Sequence, residues 1–252
     1  MISTKNFIHE QDERLTNKIF KETPFQSWMD KAYENYLDKV CEYVYSASLP
    51  EIHDKSIIKM RSNACEKFGV DTFKMYHNRN YDYDIYCVGY NSPAILISNN
   101  LIENNNKEIL QARIYAATAA IAAGHHKLSF FIWIAENMSG VASIPIIKHA
   151  IIALLYEWNR VRQFTLDRAV LLATGNYTLA LKNILYGVIP FEILQNFQFG
   201  KNDDTFLEQV HRYFKNDDPT QIIGKFFSYF SDYSWLPRRY DELVKFHNKL
   251  TR

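Results

Sequence analysis

The stretch QARIYAATAAIAAGHHKL, residues 111–128, decides how this chain is read. Its spacing predicts a helix, and one built largely from alanine. Alanine lets neighbouring backbones approach closely but offers no lone pair, charge or nucleophile. Two adjacent histidines, His125 and His126, close the run. Successive helical residues are about 100° apart, so these imidazoles cannot point the same way. They read as surface or capping groups at a helix C-terminus rather than as a metal pair.

Working outward, the period changes just upstream. DTFKMYH, DYDIYCVGY and PAILISN are short, rich in β-branched and aromatic residues, and separated by the polar turns NRN and NSP. They predict three strands of a small sheet near residues 72–98. Pro93, at the start of the third, suits an edge strand. Before the sheet, residues 6–70 read as helices. DERLTNKIFKE carries Leu15, Ile19 and Phe20 on one face, and FQSWMDKAYENYLDKVCEYVYSAS repeats apolar residues at helical spacing. EIHDKSIIKMRSNACEKFG ends at Gly69, a plausible helix terminator. After residue 128 helices dominate: 129–185 with a break at GNYT (175–178), then 204–215, 219–231 and 237–250.

These elements predict one mainly helical α+β domain over residues 1–252. Its parts are a helical region (1–70), the sheet and alanine-rich helix (71–128), and a second helical region (129–252). The chain is long enough to bury a sizeable core. Hydrophobic residues make up 47% and charged residues 23%, as in an ordinary globular protein. A net charge of +1, with basic residues scattered except in LPRRYDEL, argues against nucleic acid or an anionic membrane as partner. Cys41, Cys65 and Cys87 lack metal-ligand spacing and read as free core thiols in a reducing compartment. The apolar stretches 114–135 and 137–157 are interrupted by His and Lys, so they read as buried helices rather than membrane spans. A cytoplasmic location is expected.

Read for reactive groups, the chain offers no Gly-rich phosphate loop, no G-x-S-x-G, no H-E-x-x-H and no convincing acid–base pair of carboxylates. No two of its eight histidines stand four residues apart.

Two segments nonetheless carry a pattern. YNSPAILISNNLIENNNKEILQARIYAATAAIAAGHHKL, beginning at Tyr90, is an apolar strand, a polar turn and a helix ending in Gly-His. LLYEWNRVRQFTLDRAVLLATGNYTLALKNILYG holds Trp158, Arg160, Asp167, Arg168 and Ala169. Together they resemble the soluble bacterial branch of the HtpX-type zinc metallopeptidases, members of the gluzincins. There an edge strand leads into a helix bearing H-E-x-x-H, and a second helix carries W-x-R-x-x-E-x-x-x-D-R. The glycine of CVGY also resembles one the family has just upstream. The likeness is specific over residues 84–187 and follows element order over 9–247. It implies a zincin-like fold.

The departures matter as much. Anchored on Gly124 and His125, the H-E-x-x-H positions become Ala116, Ala117, Thr118, Ala119 and Ala120. Both histidine ligands are thus alanines (Ala116, Ala120), the general base is Ala117, and the third ligand, a Glu in the family, is Gln163. Asp167, one turn further on, remains as a vestige of the group that orients a ligand. A late His-Pro has no histidine counterpart near WLPRRYDEL. Zinc needs two imidazoles on one helix face and a third ligand from a neighbour, and methyl groups supply none. No catalytic residue, metal or other cofactor is therefore expected. The implied function is that of a pseudopeptidase, a peptide- or protein-binding companion in which substrate adds as a strand along Ala94, Ile95, Leu96 and Ile97. Two other readings stay open: a metalloenzyme with a rearranged site using His125, His149 and Asp167, and a structural subunit of a homo- or hetero-oligomer.

Overall fold

The computed structural model describes residues 1–22, 50–78, 85–103, 106–129, 147–186 and 236–252, with Ser27, Asp30 and Ile132 individually. The helices expected over residues 25–48, 204–215 and 219–231, and Cys41, lie outside the described residues.

Helix α1 (Glu10–Glu22) has acidic residues in its first turn, where the helix dipole favours them. It buries Asp12, Leu15 and Ile19. Helix α2 (Lys55–Phe68) starts at Asp54, whose carboxylate accepts from the Ser56 and Ile57 amides, and it ends at Gly69. Then come β1 (Lys74–Asn78), β2 (Ile85–Val88) and β3 (Ala94–Ser98). A short helix α3 (Asn99–Glu103) leads into α4 (Lys107–Ala122). Asn106 caps α4 by accepting from the Ile109 amide. The long α5 (Ile147–Thr174), then α6 (Tyr177–Tyr186) and α7 (Leu236–Leu250), complete the described elements. The architecture is mainly helical α+β with one small sheet. No helix among the described residues is long and apolar enough to cross a membrane.

The strand order is β1-β3-β2, so β3 is the central strand and not the edge that Pro93 suggested. β3 pairs in parallel with β1 and antiparallel with β2. Pro93 sits outside the paired residues, so its missing N–H breaks no ladder. The turn that brings β3 between its neighbours depends on Gly89 (φ +93°), where a side chain would collide with the Ser92 carbonyl.

Both faces of the sheet are covered. Met75, Cys87, Ile95 and Ile97 belong to a core shared with α2, α4 and the C-terminal half of α5. Tyr76, Val88, Ala94 and Leu96 belong to a second core with α1, Trp158 and Phe164. Every residue of β3 is buried. This explains its unbroken apolar run, since a strand enclosed on both faces has no polar side to present.

Helix α4 is buried on nearly all sides, from Ile109 to Ile121 apart from Gln111. Such a helix reads as apolar all round, with little amphipathic contrast. It packs on α2, α5, α6 and β2, and α5 packs in turn on α1, α6 and α7.

Candidate functional site

Ala116, Ala117 and Ala120 lie in the first core together with Leu166, Ala169, Val170 and Ala173 of α5. Ala120 is 2% exposed and Ala116 8%. The alanine run of α4 is therefore part of the core, on a helix that packs against α2, α5, α6 and β2. Gln163 is half-buried on α5. These four positions carry no metal-binding donor set, because three of them end in methyl groups.

Asp167 is buried, and its partner is a cation from the last helix. Arg239 Nη2 donates to Oδ1 at 2.6 Å, and Arg239 Nε donates to Oδ2 at 2.8 Å. Arg239 is itself 2% exposed. Burial pushes the Asp167 carboxyl up, against the opposing pull of Arg239 and, more weakly, Arg113 of α4. One carboxylate thus ties α5 to α7, with an α4 guanidinium contributing at longer range.

A second polar centre, missed in the sequence, surrounds Asp12, which has no exposed surface. Oδ1 accepts from Trp158 Nε1 at 3.0 Å and from Thr16 Oγ1 at 3.2 Å. Oδ2 accepts a short hydrogen bond from Thr165 Oγ1, and His125 Nε2 lies 2.9 Å away. The His125 ring meets Trp158 edge to face. A carboxylate has about four acceptor sites, and here each faces a neighbour. Burial pushes the Asp12 carboxyl up, but the attraction of His125 and the hydrogen bonds from Thr165 and Thr16 outweigh it and hold the carboxyl below its ordinary value. The centre joins α1, the turn at 125–129 and α5. A cue was present: Asp12 is in helical phase with Leu15 and Ile19, so a carboxylate stands on the apolar stripe.

Thr165 also accepts from the His9 amide at 3.0 Å. The His9 ring lies at the start of α1, tilted against the Phe164 ring. Its Nδ1 accepts from the Gln11 amide at 3.1 Å, and its Nε2 lies 3.2 Å from Glu242 Oε2. Because Nδ1 accepts, the neutral ring carries its proton on Nε2, which donates to Glu242.

The histidine pair is a correction to the expectation of surface or capping groups. His125 and His126 are 1% and 7% exposed. Gly124 (φ +74°) ends α4, and the pair opens a further helical turn at residues 125–129 instead of capping the one before. Their rings do diverge: His125 goes to Asp12, and His126 Nε2 donates to the Tyr90 carbonyl at 3.0 Å. Burial, and then the neighbouring Lys127, push His126 down to about 4.

Of the three residues of the rearranged metal reading, the side chains of two, His125 and Asp167, are described. His125 engages Asp12 and Asp167 engages Arg239, so the two have separate partners, while the His149 side chain lies outside the described residues. Among the described residues no group of three His, Cys, Asp or Glu is placed to hold a metal ion. Cys65 and Cys87 are free thiols, and burial pushes Cys87 up to about 12. The strand Ala94, Ile95, Leu96 and Ile97 also needs correction as a peptide rail. Both of its main-chain edges are taken, by β1 and by β2, so no strand can be added to it.

Comparison with known proteins adds no relative: no family model matches the chain, and neither a curated protein nor a solved structure does.

Proposed function

We propose that the chain is a catalytically inactive relative of the HtpX-type zinc metallopeptidases, zincin-like in fold, that binds a peptide or protein partner in the cytoplasm. The observation that carries this reading is the placement of Ala116, Ala117 and Ala120. They stand at the ligand and base positions of the family pattern, on a helix buried in the core. Asp167 stands one turn beyond Gln163 and is engaged by Arg239 rather than by an imidazole. Zinc lowers the pKa of its bound water and a nearby carboxylate accepts the proton; alanines at these positions supply neither the ligands nor the base.

The mode of binding differs from that of a substrate lying along β3. Of the two outer strands, β1 is met on its far side by residues 50–52: the Ile52 and His77 amides donate to the Met75 and Pro50 carbonyls. The reading therefore places recognition away from the main-chain edges of β3 and β1.

The test uses the purified full chain. Its zinc content is measured, an unstructured protein such as casein is offered with and without chelator, and binding to an immobilised library of unstructured peptides is recorded. Binding without cleavage supports the proposal. About one zinc per chain with chelator-sensitive cleavage overturns it, and failure to bind any peptide removes the peptide-binding half.

A further inference from the structure

We propose that His9 is a proton-operated cap on α1, holding the helix's first turn when neutral and releasing it when protonated. Two hydrogen bonds define His9 as the cap. Its carbonyl accepts from the Glu13 amide at 3.0 Å, the first bond of the helix. Its Nδ1 accepts from the Gln11 amide at 3.1 Å, satisfying one of the helix's orphan donors. Serine, threonine, aspartate or asparagine normally does this work with an oxygen that accepts at any physiological pH. An imidazole nitrogen accepts only while it is unprotonated.

Protonation places an N–H on Nδ1, facing the Gln11 N–H. Two donors then oppose each other and the cap is lost. A second partner is at hand: Glu10 Oε2 lies 3.8 Å from Nδ1. The protonated ring can turn its new donor to that carboxylate. Doing so competes with Arg168 of α5, whose Nη2 lies 3.5 Å from the same oxygen. On the other side Nε2 donates to Glu242 of α7 in either state, and Lys245 shares that carboxylate. Among the described residues, Arg238 is a further charged group nearby: it lies over the Phe164 ring that His9 contacts and bonds Gln11 Oε1 at 2.9 Å. His9 thus has two discrete arrangements that exchange Gln11 for Glu10. Burial first, and Arg168 after it, lower the proton affinity of His9 below the ordinary histidine value, while Glu242 and Glu10 pull the other way. The released turn is the one that carries Asp12 into its buried centre.

The experiment follows protection of the Gln11, Asp12 and Glu13 amides by hydrogen exchange from about pH 7.5 to about pH 4.5, corrected for intrinsic rates. Protection at Gln11 is expected to fall about five- to tenfold as His9 titrates, the size of a lost cap. In His9→Asn, which retains an acceptor that does not titrate, the fall should vanish. Ring nitrogen shifts of His9 give an independent check that needs no variant. They should report the Nε2–H tautomer at neutral pH. An Nδ1–H tautomer there, pH-independent protection in the wild type, or the same fall in His9→Asn overturns the proposal.

Discussion

Arg239 holds Asp167 by two hydrogen bonds in a buried ion pair that joins α7 to α5. Removing one member leaves the other charged and dry. Asp167→Ala should therefore cost about 3–5 kcal/mol of stability. Replacing both residues by apolar ones of similar volume should cost far less. Urea unfolding of the two singles and the double checks this. A single variant as stable as wild type would mean the pair is solvated.

Asp12 makes a different demand, because all its neighbours are donors or press an N–H edge towards it. In Asp12→Asn an amide NH2 must face either Thr165 and His125 or Trp158 and Thr16. Donor would then meet donor on one side. We expect a loss of about 2–3 kcal/mol, read from denaturant midpoints at unchanged slope. Little or no change would show that α1 does not carry Asp12 into the core.

Acid should destabilise the protein through His126. Its folded proton affinity is depressed, from 6.5 to about 4, so the ring stays neutral in the fold while the unfolded chain protonates. Between these values the unfolded state binds more protons, and stability falls as pH drops through the window. The full effect is about 3 kcal/mol, with a slope of at most about 1.4 kcal/mol per pH unit. His126→Gln can still donate to the Tyr90 carbonyl but does not titrate. The difference in unfolding free energy between wild type and variant should acquire this slope between about pH 4 and about pH 6.5 and lose it outside. A flat difference excludes a neutral buried His126.

The alanine register predicts a graded response to rebuilding the family motif. Ala120→His inserts an imidazole at a position 2% exposed, whereas Gln163→Glu changes a half-buried side chain. The first should cost about 1–3 kcal/mol or more by overpacking, the second under about 1 kcal/mol. The combined variant Ala116→His, Ala117→Glu, Ala120→His and Gln163→Glu should melt well below wild type. If instead it melts higher in zinc than without, these positions are open to a metal.

Much of the fold was written in local pattern. The loss of helical period, with short β-branched and aromatic runs between polar turns, located all three strands. Gly69 and the break after Thr174 fell where turn chemistry placed them. Strand order was not legible in that way, because Pro93 pointed to an edge. The better signal was the unbroken AILI, which marks a strand enclosed on both faces. For the site, an arginine opposite Asp167 was foreseeable in kind, and LPRRYDEL was the one tight basic cluster. Its choice of Arg239 rests on the docking of α7. The burial of His125 depended on Asp12, far away in sequence and visible only as a carboxylate on an apolar stripe.

The position of β3 also bears on how the sheet can close. β1 and β2 are made first, yet they never pair with each other. They run antiparallel with a gap of about 9–10 Å, two strand spacings, between them. Whatever emerges of the chain before Ala94 has no completed sheet to fold onto. The neighbouring pair β2–β3, joined through Gly89, can close locally, and β1 must then find the far side of β3 across a longer loop. The third strand thus carries the pairing of both others: without β3, β1 and β2 share no ladder.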